Sequence, residues 1–178
     1  MPTGGVVAPT LATPRLVLRD ARPSDAGPLL DVTFYDGRAA GDVPEAASFL
    51  ERIRADQDAG ETVHWVVCLR QDRTPIGTVG FYRGFDGGAG ELGYVLAPAY
   101  RGRGLAGEAA AAACSHGFDG LGLARIVAWT EPANAPSRRL LERLGFREDG
   151  LVDGRLRYRR ERPQAQDSRA SGASLSPS

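Results

Sequence analysis

Apolar and polar side chains alternate along residues 15–20 (RLVLRD), the two-residue period of a strand with one buried face. Pro23 and Ser24 then open a short helix. Asp42, Val43, Pro44 and Glu45 form a second helix start, with a capping Asp, an early Pro and a carboxylate three residues after the cap. Behind it Ala46, Phe49, Leu50 and Ile53 recur at helical spacing, which predicts an amphipathic helix with one face for a core. Residues 62–70 (TVHWVVCLR), 75–82 (PIGTVGFY) and 91–97 (ELGYVLA) predict strands between turn-rich stretches, with FDGGAG as the hairpin connection before the last. The pattern changes after Tyr100. A glycine-rich loop runs into an alanine-packed helix over 101–118, followed by a strand over 125–130 (RIVAWT) and a helix near 135–144 that stops at Gly145. Closing strands are expected near Phe146 and over 151–160. The order β-α-α-β-β-β-α-β-α-β-β predicts an α/β sheet, antiparallel in its first half, with at least one crossover through a helix.

Residues 1–12 and 163–178 (PQAQDSRASGASLSPS) have the composition of loose termini, which leaves one domain over residues 13–162. The 22 basic residues balance 22 acidic ones, so net charge gives no bulk attraction to nucleic acid or to an anionic membrane. Every one of those cations is Arg; the chain has no Lys. That excludes Schiff-base, pyridoxal-phosphate and Walker A lysine chemistry, and Arg, which stays protonated, does not replace it. Cys68 and Cys114 are too few for a disulfide framework or a four-ligand zinc site, and no metal is expected. Residues 1–10 lack the basic and apolar segments of a secretory signal, and no apolar run approaches the ~20 residues that span a bilayer. The expectation is a cytoplasmic protein.

Residues 100–107 (YRGRGLAG) lie between a strand and a helix, where backbone N–H groups and the helix dipole together attract an anion. Gly102 and Gly104 remove side chains that would hold a pyrophosphate away, and Arg101 and Arg103 add cationic donors suited to its oxygens. Two other readings stand beside this one. A glycine-rich turn with solvated arginines needs no ligand. Gly102, Gly104 and Gly107 also spell the dinucleotide fingerprint G-x-G-x-x-G, with Glu131 ending the next strand, although four residues separate these glycines from the preceding strand.

The stretch VLAPAYRGRGLAGEA resembles the acetyl-coenzyme A motif of the GNAT superfamily of N-acetyltransferases. Its core, [Q/R]-x-x-G-x-[G/A], is matched by Arg101, Gly102, Arg103, Gly104, Leu105 and Ala106. A second stretch, NAPSRRLLERLGFREDG, is similar to the N-x-x-S…L-x-x-L-G-F-x-x-x-G signature of the RimJ/RimL-type branch, which acetylates protein N-termini. The resemblance covers residues 13–160 and implies the GNAT fold: a mixed, mostly antiparallel central sheet, splayed at the acetyl-CoA site and flanked by helices. It implies acetyl-CoA as cosubstrate and an amine as acceptor. The pantetheine arm would enter between strands 91–97 and 125–130, pairing with backbone groups of Val95 and Leu96. The amides of residues 102–106 would hold the pyrophosphate, and Asn134 would touch the arm while also suiting the cap of the following helix.

Acetyl transfer by direct attack needs a neutral amine, a polarised thioester carbonyl and a proton for the departing thiolate, and no covalent nucleophile. Glu91 is the expected base, since it alternates with Gly93 and Val95 onto one face of the strand and family members often hold a carboxylate near this point. Many relatives supply the proton from a Tyr seven residues after the Asn, but Leu141 stands there, and Ser137 is the expected substitute. His64 and His116 are expected to be structural. An α-amine with a pKa near ~8 is ~10% neutral at pH 7, against ~0.04% for a lysine amine near ~10.4, so modest machinery favours the α-amine.

Rival classes are a non-catalytic acetyl-CoA-binding module, the dehydrogenase suggested by the glycines, and an acetyltransferase for a small amine such as an aminoglycoside, a polyamine or an amino acid analogue. Arg155, Arg157 and Arg159 fall on one face of a closing strand, which is read as a solvated edge and not as a nucleic-acid surface. The sequence leaves the oligomeric state open, with a homodimer among the options.

Overall fold

The computed structural model of the chain describes residues 8–32, 38–82 and 85–164. Eight strands form one sheet: β1 (Leu11–Ala12), β2 (Leu16–Arg19), β3 (Val63–Leu69), β4 (Pro75–Tyr82), β5 (Ala89–Leu96), β6 (Arg125–Thr130), β7 (Arg147–Val152) and β8 (Arg155–Glu161). Their spatial order is β1-β2-β3-β4-β5-β6-β8-β7, and every neighbouring pair is antiparallel except β5 and β6. That parallel step is spanned by helix α2 (Leu105–Asp119), the crossover the sequence called for. Helix α1 (Val43–Asp58) packs on one face of the sheet, while α2 packs on the other, the face to which α3 (Ala135–Arg143) contributes Leu140 and Leu141.

The helix ends follow from their caps. Asp42 Oδ1 accepts from the Glu45 N–H at 2.8 Å, and Glu45 reaches back to the Gly41 N–H at 2.6 Å, satisfying two donors at the start of α1. At the end of α3, Gly145 takes φ +82°; its N–H bonds the Glu142 carbonyl and the Phe146 N–H bonds that of Leu141. This is the Schellman pattern that the glycine announced. On α1, Ala46, Phe49, Leu50 and Ile53 are all buried, each of the larger three contributing ~1.5–3 kcal/mol. They pack with Val66 and Cys68 of β3 and with Ala97 just past the end of β5. On the opposite face Leu105, Ala109, Ala113, Cys114 and Phe118 of α2 meet Trp65, Phe81, Leu92 and Ile126.

Three local expectations change. The short helix at Pro23 is a single 3₁₀ turn, Pro23–Asp25, whose Asp25 carboxylate accepts from the Arg22 N–H and from both terminal nitrogens of Arg19, each at 2.8 Å. The sheet begins at Leu11, inside the segment expected to be loose, because Leu11 and Ala12 pair with Leu18 and Val17 and the Trp65 indole donates to the Pro9 carbonyl at 2.8 Å. Leu151 belongs to β7 and not to the last strand. Asp153 and Gly154, both at positive φ, make a two-residue hairpin turn between Val152 and Arg155, the Asp-Gly signal of a primed turn. The expected C-terminal tail lies outside the described residues, apart from Pro163 and Gln164. No helix among the described residues is long and apolar enough to cross a membrane.

Candidate active site

β5 pairs with β4 all the way from Glu91, opposite Tyr82, to Leu96, opposite Gly77. Its pairing with β6 ends at Leu92, opposite Ala128. Beyond that register the two parallel strands part, so the backbone groups of residues 93–96 that would face a neighbour on that side lose their ladder. The gap opens into a cavity of about 1230 Å³, larger than the ~300–1,000 Å³ that suits a drug-sized ligand. Glu91, Val95, Leu96, Arg101, Gly102, Gly104, Leu105, Ala106, Asn134 and Ser137 all line it, so the two sequence motifs, some thirty residues apart, converge on one site.

Strand alternation divides the walls. Leu92, Tyr94 and Leu96 face the α2 side, whereas Val95 packs into the α1-side cluster and Glu91 and Gly93 share its face. Opposite Glu91 stands Tyr82, whose ring crosses the space a Cβ on Gly93 would need. The Tyr82 hydroxyl lies 2.7 Å from His64 Nε2. His64 is buried, and burial alone pulls its pKa down to about 3, so the imidazole is neutral at physiological pH. His116 packs edge-on to Trp65 in the last turn of α2, and burial lowers its pKa as well, against the positive charge that a helix C-terminus favours.

On the other wall, Asn134 Oδ1 accepts from the Ser137 N–H at 3.1 Å and so caps α3. Ser137 Oγ lies 2.8 Å from the Tyr94 hydroxyl. Burial raises the Tyr94 pKa, against the lowering effect of the Ser137 hydrogen bond, so Tyr94 keeps its proton. Leu141 is fully buried in the core. Tyr94 was missed from sequence, although the period that placed Glu91, Gly93 and Val95 on one face puts Tyr94 on the other.

The loop before α2 has the form of an anion cradle. Gly102 and Gly104 take φ +73° and +74°, a left-handed conformation costly for residues with a Cβ. Gly104 is the N-cap of α2 and offers no capping side chain, so the first-turn amides have no acceptor within the helix. Arg101 also braces the strand: its Nε donates to the Leu96 carbonyl at 2.8 Å. Arg103 does not line the cavity wall; its guanidinium lies over the Tyr100 ring at 5.9 Å. Thr130, at the end of β6, lines the cavity with a buried hydroxyl that has no hydrogen-bond partner among the described residues. Open amides, two glycines at positive φ and this unpaired hydroxyl suit a long phosphate-bearing ligand, and the site fits coenzyme A.

The dinucleotide reading fails on topology, because the glycine loop follows an antiparallel run and the sheet holds a single parallel pair among the described residues. Arg155, Arg157 and Arg159 are matched by Glu131, Asp149 and Glu161 at 3.9, 2.9 and 3.1 Å, and Arg155 and Arg157 both approach the Trp129 ring. Cys68 and Cys114 are buried free thiols, and burial pushes the Cys114 thiol up to about 12.

Comparison with known proteins agrees with this geometry. The family described as acetyltransferase (GNAT) domain matches residues 15–147. An N-acetyltransferase described as uncharacterized, p20 of Bacillus licheniformis, is 34% identical over 80% of this chain and 85% of its own, and YnaD of Bacillus subtilis is 32% identical over 79% and 84%. Among solved structures, Mycobacterium smegmatis RimJ in complex with CoA-disulfide superposes with a TM-score of 0.72 at 26% identity, covering 82% of this chain and 81% of that one. The ribosomal-protein-S5-alanine acetyltransferase of Vibrio fischeri shares the fold at TM-score 0.70 and 19% identity, covering 86% and 97%. With the family domain spanning most of its length and relatives above 30% identity over about four fifths of it, the chain belongs to the GNAT family of N-acetyltransferases.

Proposed function

We propose that this N-acetyltransferase acetylates a primary α-amine, the N-terminus of a protein or peptide, by direct attack within a ternary complex. Acetyl-CoA, when bound, supplies the acetyl thioester. The amides of residues 102–106 and the Arg101 guanidinium hold its phosphates, the freed edge of β5 at Leu96 takes its arm while the Val95 N–H and C=O face β4, and Asn134 lies beside that arm.

The observation that carries this reading is the division of the cavity walls. Glu91 stands on the α1 side of β5, while the Ser137 and Tyr94 hydroxyls meet on the α2 side. An amine entering from the α1 side meets the Glu91 carboxylate first, which attracts the ammonium form and accepts its proton. Ser137, backed by the Tyr94 hydroxyl, donates on the other side to the departing sulfur. Tyr94 keeps its proton through the working pH range, so this side stays ready to donate. Base and donor are thereby kept apart and do not neutralise one another.

An α-amine near pKa ~8 needs little help to become neutral, in contrast to a lysine amine near ~10.4. Thiol release from acetyl-CoA on two matched peptides tests the reading, one with a free N-terminus and no lysine, the other N-terminally blocked with one lysine. Faster release with the first supports it. Faster release with the lysine peptide, or release only with a polyamine or an aminoglycoside, sinks it.

A further inference from the structure

The turn between β1 and β2 reaches across to the phosphate-loop helix and grips it. Thr13 Oγ1 donates to Glu108 Oε1 at 2.6 Å, the Arg15 N–H donates to the same oxygen at 2.9 Å, and Arg15 Nε donates to Oε2 at 2.6 Å. Arg15 Nη1 donates to the Arg103 carbonyl at 3.0 Å. The strap is itself tied to β3, because the Arg70 N–H bonds the Arg15 carbonyl at 2.8 Å and Arg70 Nη1 bonds that of Thr13 at 3.0 Å. Partial burial alone would raise the Glu108 pKa, but the hydrogen bonds from Thr13 and Arg15 outweigh it and hold the carboxyl below its ordinary range.

Glu108 is the fourth residue of α2, one turn behind the amides that form the cradle. A bare carboxylate there competes with an incoming phosphate for the same helix dipole and repels it. The Arg103 carbonyl is the second hazard, since a carbonyl turned into an anion cradle presents the wrong end of its dipole. In a trans peptide the C=O and the following N–H point in opposite directions, so a carbonyl drawn to Arg15 turns the Gly104 N–H away from the strap.

From this geometry we infer that Arg15 is a positioning residue for coenzyme A: it neutralises Glu108 and fixes the Arg103–Gly104 peptide, so the loop presents only donors to the phosphates. Arg15 belongs to neither of the two sequence motifs and precedes Arg103 by 88 residues along the chain. The role rests on acetyl-CoA occupying the cradle, and it places the effect at the phosphate end and not at the reacting end.

The test compares Arg15→Gln with wild type in two ways: coenzyme A binding by calorimetry, and turnover with acetyl-CoA against S-acetyl-pantetheine, which lacks the diphosphate. Loss of charge-assisted hydrogen bonds predicts a rise in the coenzyme A Kd of about tenfold or more. It also predicts that kcat/KM falls at least about fivefold further with acetyl-CoA than with S-acetyl-pantetheine. Arg15→Lys keeps the charge without the fork, so it gives a smaller rise in Kd in the same direction and serves if the Gln variant does not fold. An unchanged Kd, or equal losses with both donors, overturns the role. Wild-type protein that fails to bind coenzyme A overturns the cofactor reading and this role with it.

Discussion

His64 makes the stability of this protein depend on pH in a way that can be worked out in advance. Its imidazole is fully buried, and its pKa falls from about 6.5 in the unfolded chain to about 3 in the native state. Between those values the unfolded chain binds a proton that the folded chain refuses. The stabilising contribution is therefore complete above pH 6.5 and is lost as pH falls toward 3, at about 1.4 kcal/mol per pH unit. From pH 7 to pH 4 the loss is roughly 3 kcal/mol, against a typical domain stability of ~5–15 kcal/mol. His64→Gln keeps an amide beside the Tyr82 hydroxyl but does not titrate. It costs some stability at pH 7 through imperfect packing, and that cost is constant with pH. Urea unfolding at intervals from pH 7 to pH 4 should show the wild type losing roughly 3 kcal/mol more than the variant over this range. Parallel losses for the two proteins, or a native-state NMR titration of His64 near pH 6.5, would show that the buried imidazole does not set this pH dependence.

Glu91→Gln should lower kcat by ~10²–10⁴ while leaving the coenzyme A Kd unchanged, as checked by thiol release and calorimetry. Ser137→Ala and Tyr94→Phe should each lower kcat, and the double variant should fall by much less than the product of the two, because one hydroxyl acts through the other. Gly102→Ala meets open space, so only its φ of +73° resists the change; a cost of ~1–2 kcal/mol should appear as weaker coenzyme A binding with little change in the far-UV circular dichroism. Arg19→Ala strands the Asp25 carboxylate, whose side chain is 2% exposed, and should destabilise the fold by ~3–5 kcal/mol in urea unfolding.

The elements that could be read from sequence are those whose signals are local. The Asp42 cap, the spacing of Ala46, Phe49, Leu50 and Ile53, and the stop at Gly145 each lie within a few residues of the structure they specify. β7 was harder, because most of its residues are exposed and its apolar pattern says nothing about a buried face; only the Asp153-Gly154 turn marks where it ends. The phosphate loop was legible because glycines at positive φ and a helix start are written in consecutive residues. The extent of the splay was not, since it depends on the register of Leu92 against Ala128, a pairing across a crossover. Tyr94 meets Ser137 across 43 residues and Arg15 meets Glu108 across 93, and no local period encodes either contact.

The proposed delivery of an acetyl group to an α-amine rests on the gap between β5 and β6. Its most direct test is to incubate the enzyme and acetyl-CoA at pH 7 with a single peptide carrying both a free N-terminus and an internal lysine, and to locate the added acetyl group by tandem mass spectrometry. Acetylation of the first residue is expected, with the yield collapsing in the Glu91→Gln enzyme. Acetylation of the lysine side chain, or an N-terminal yield indifferent to Glu91, would rule out α-amine transfer with Glu91 as its base.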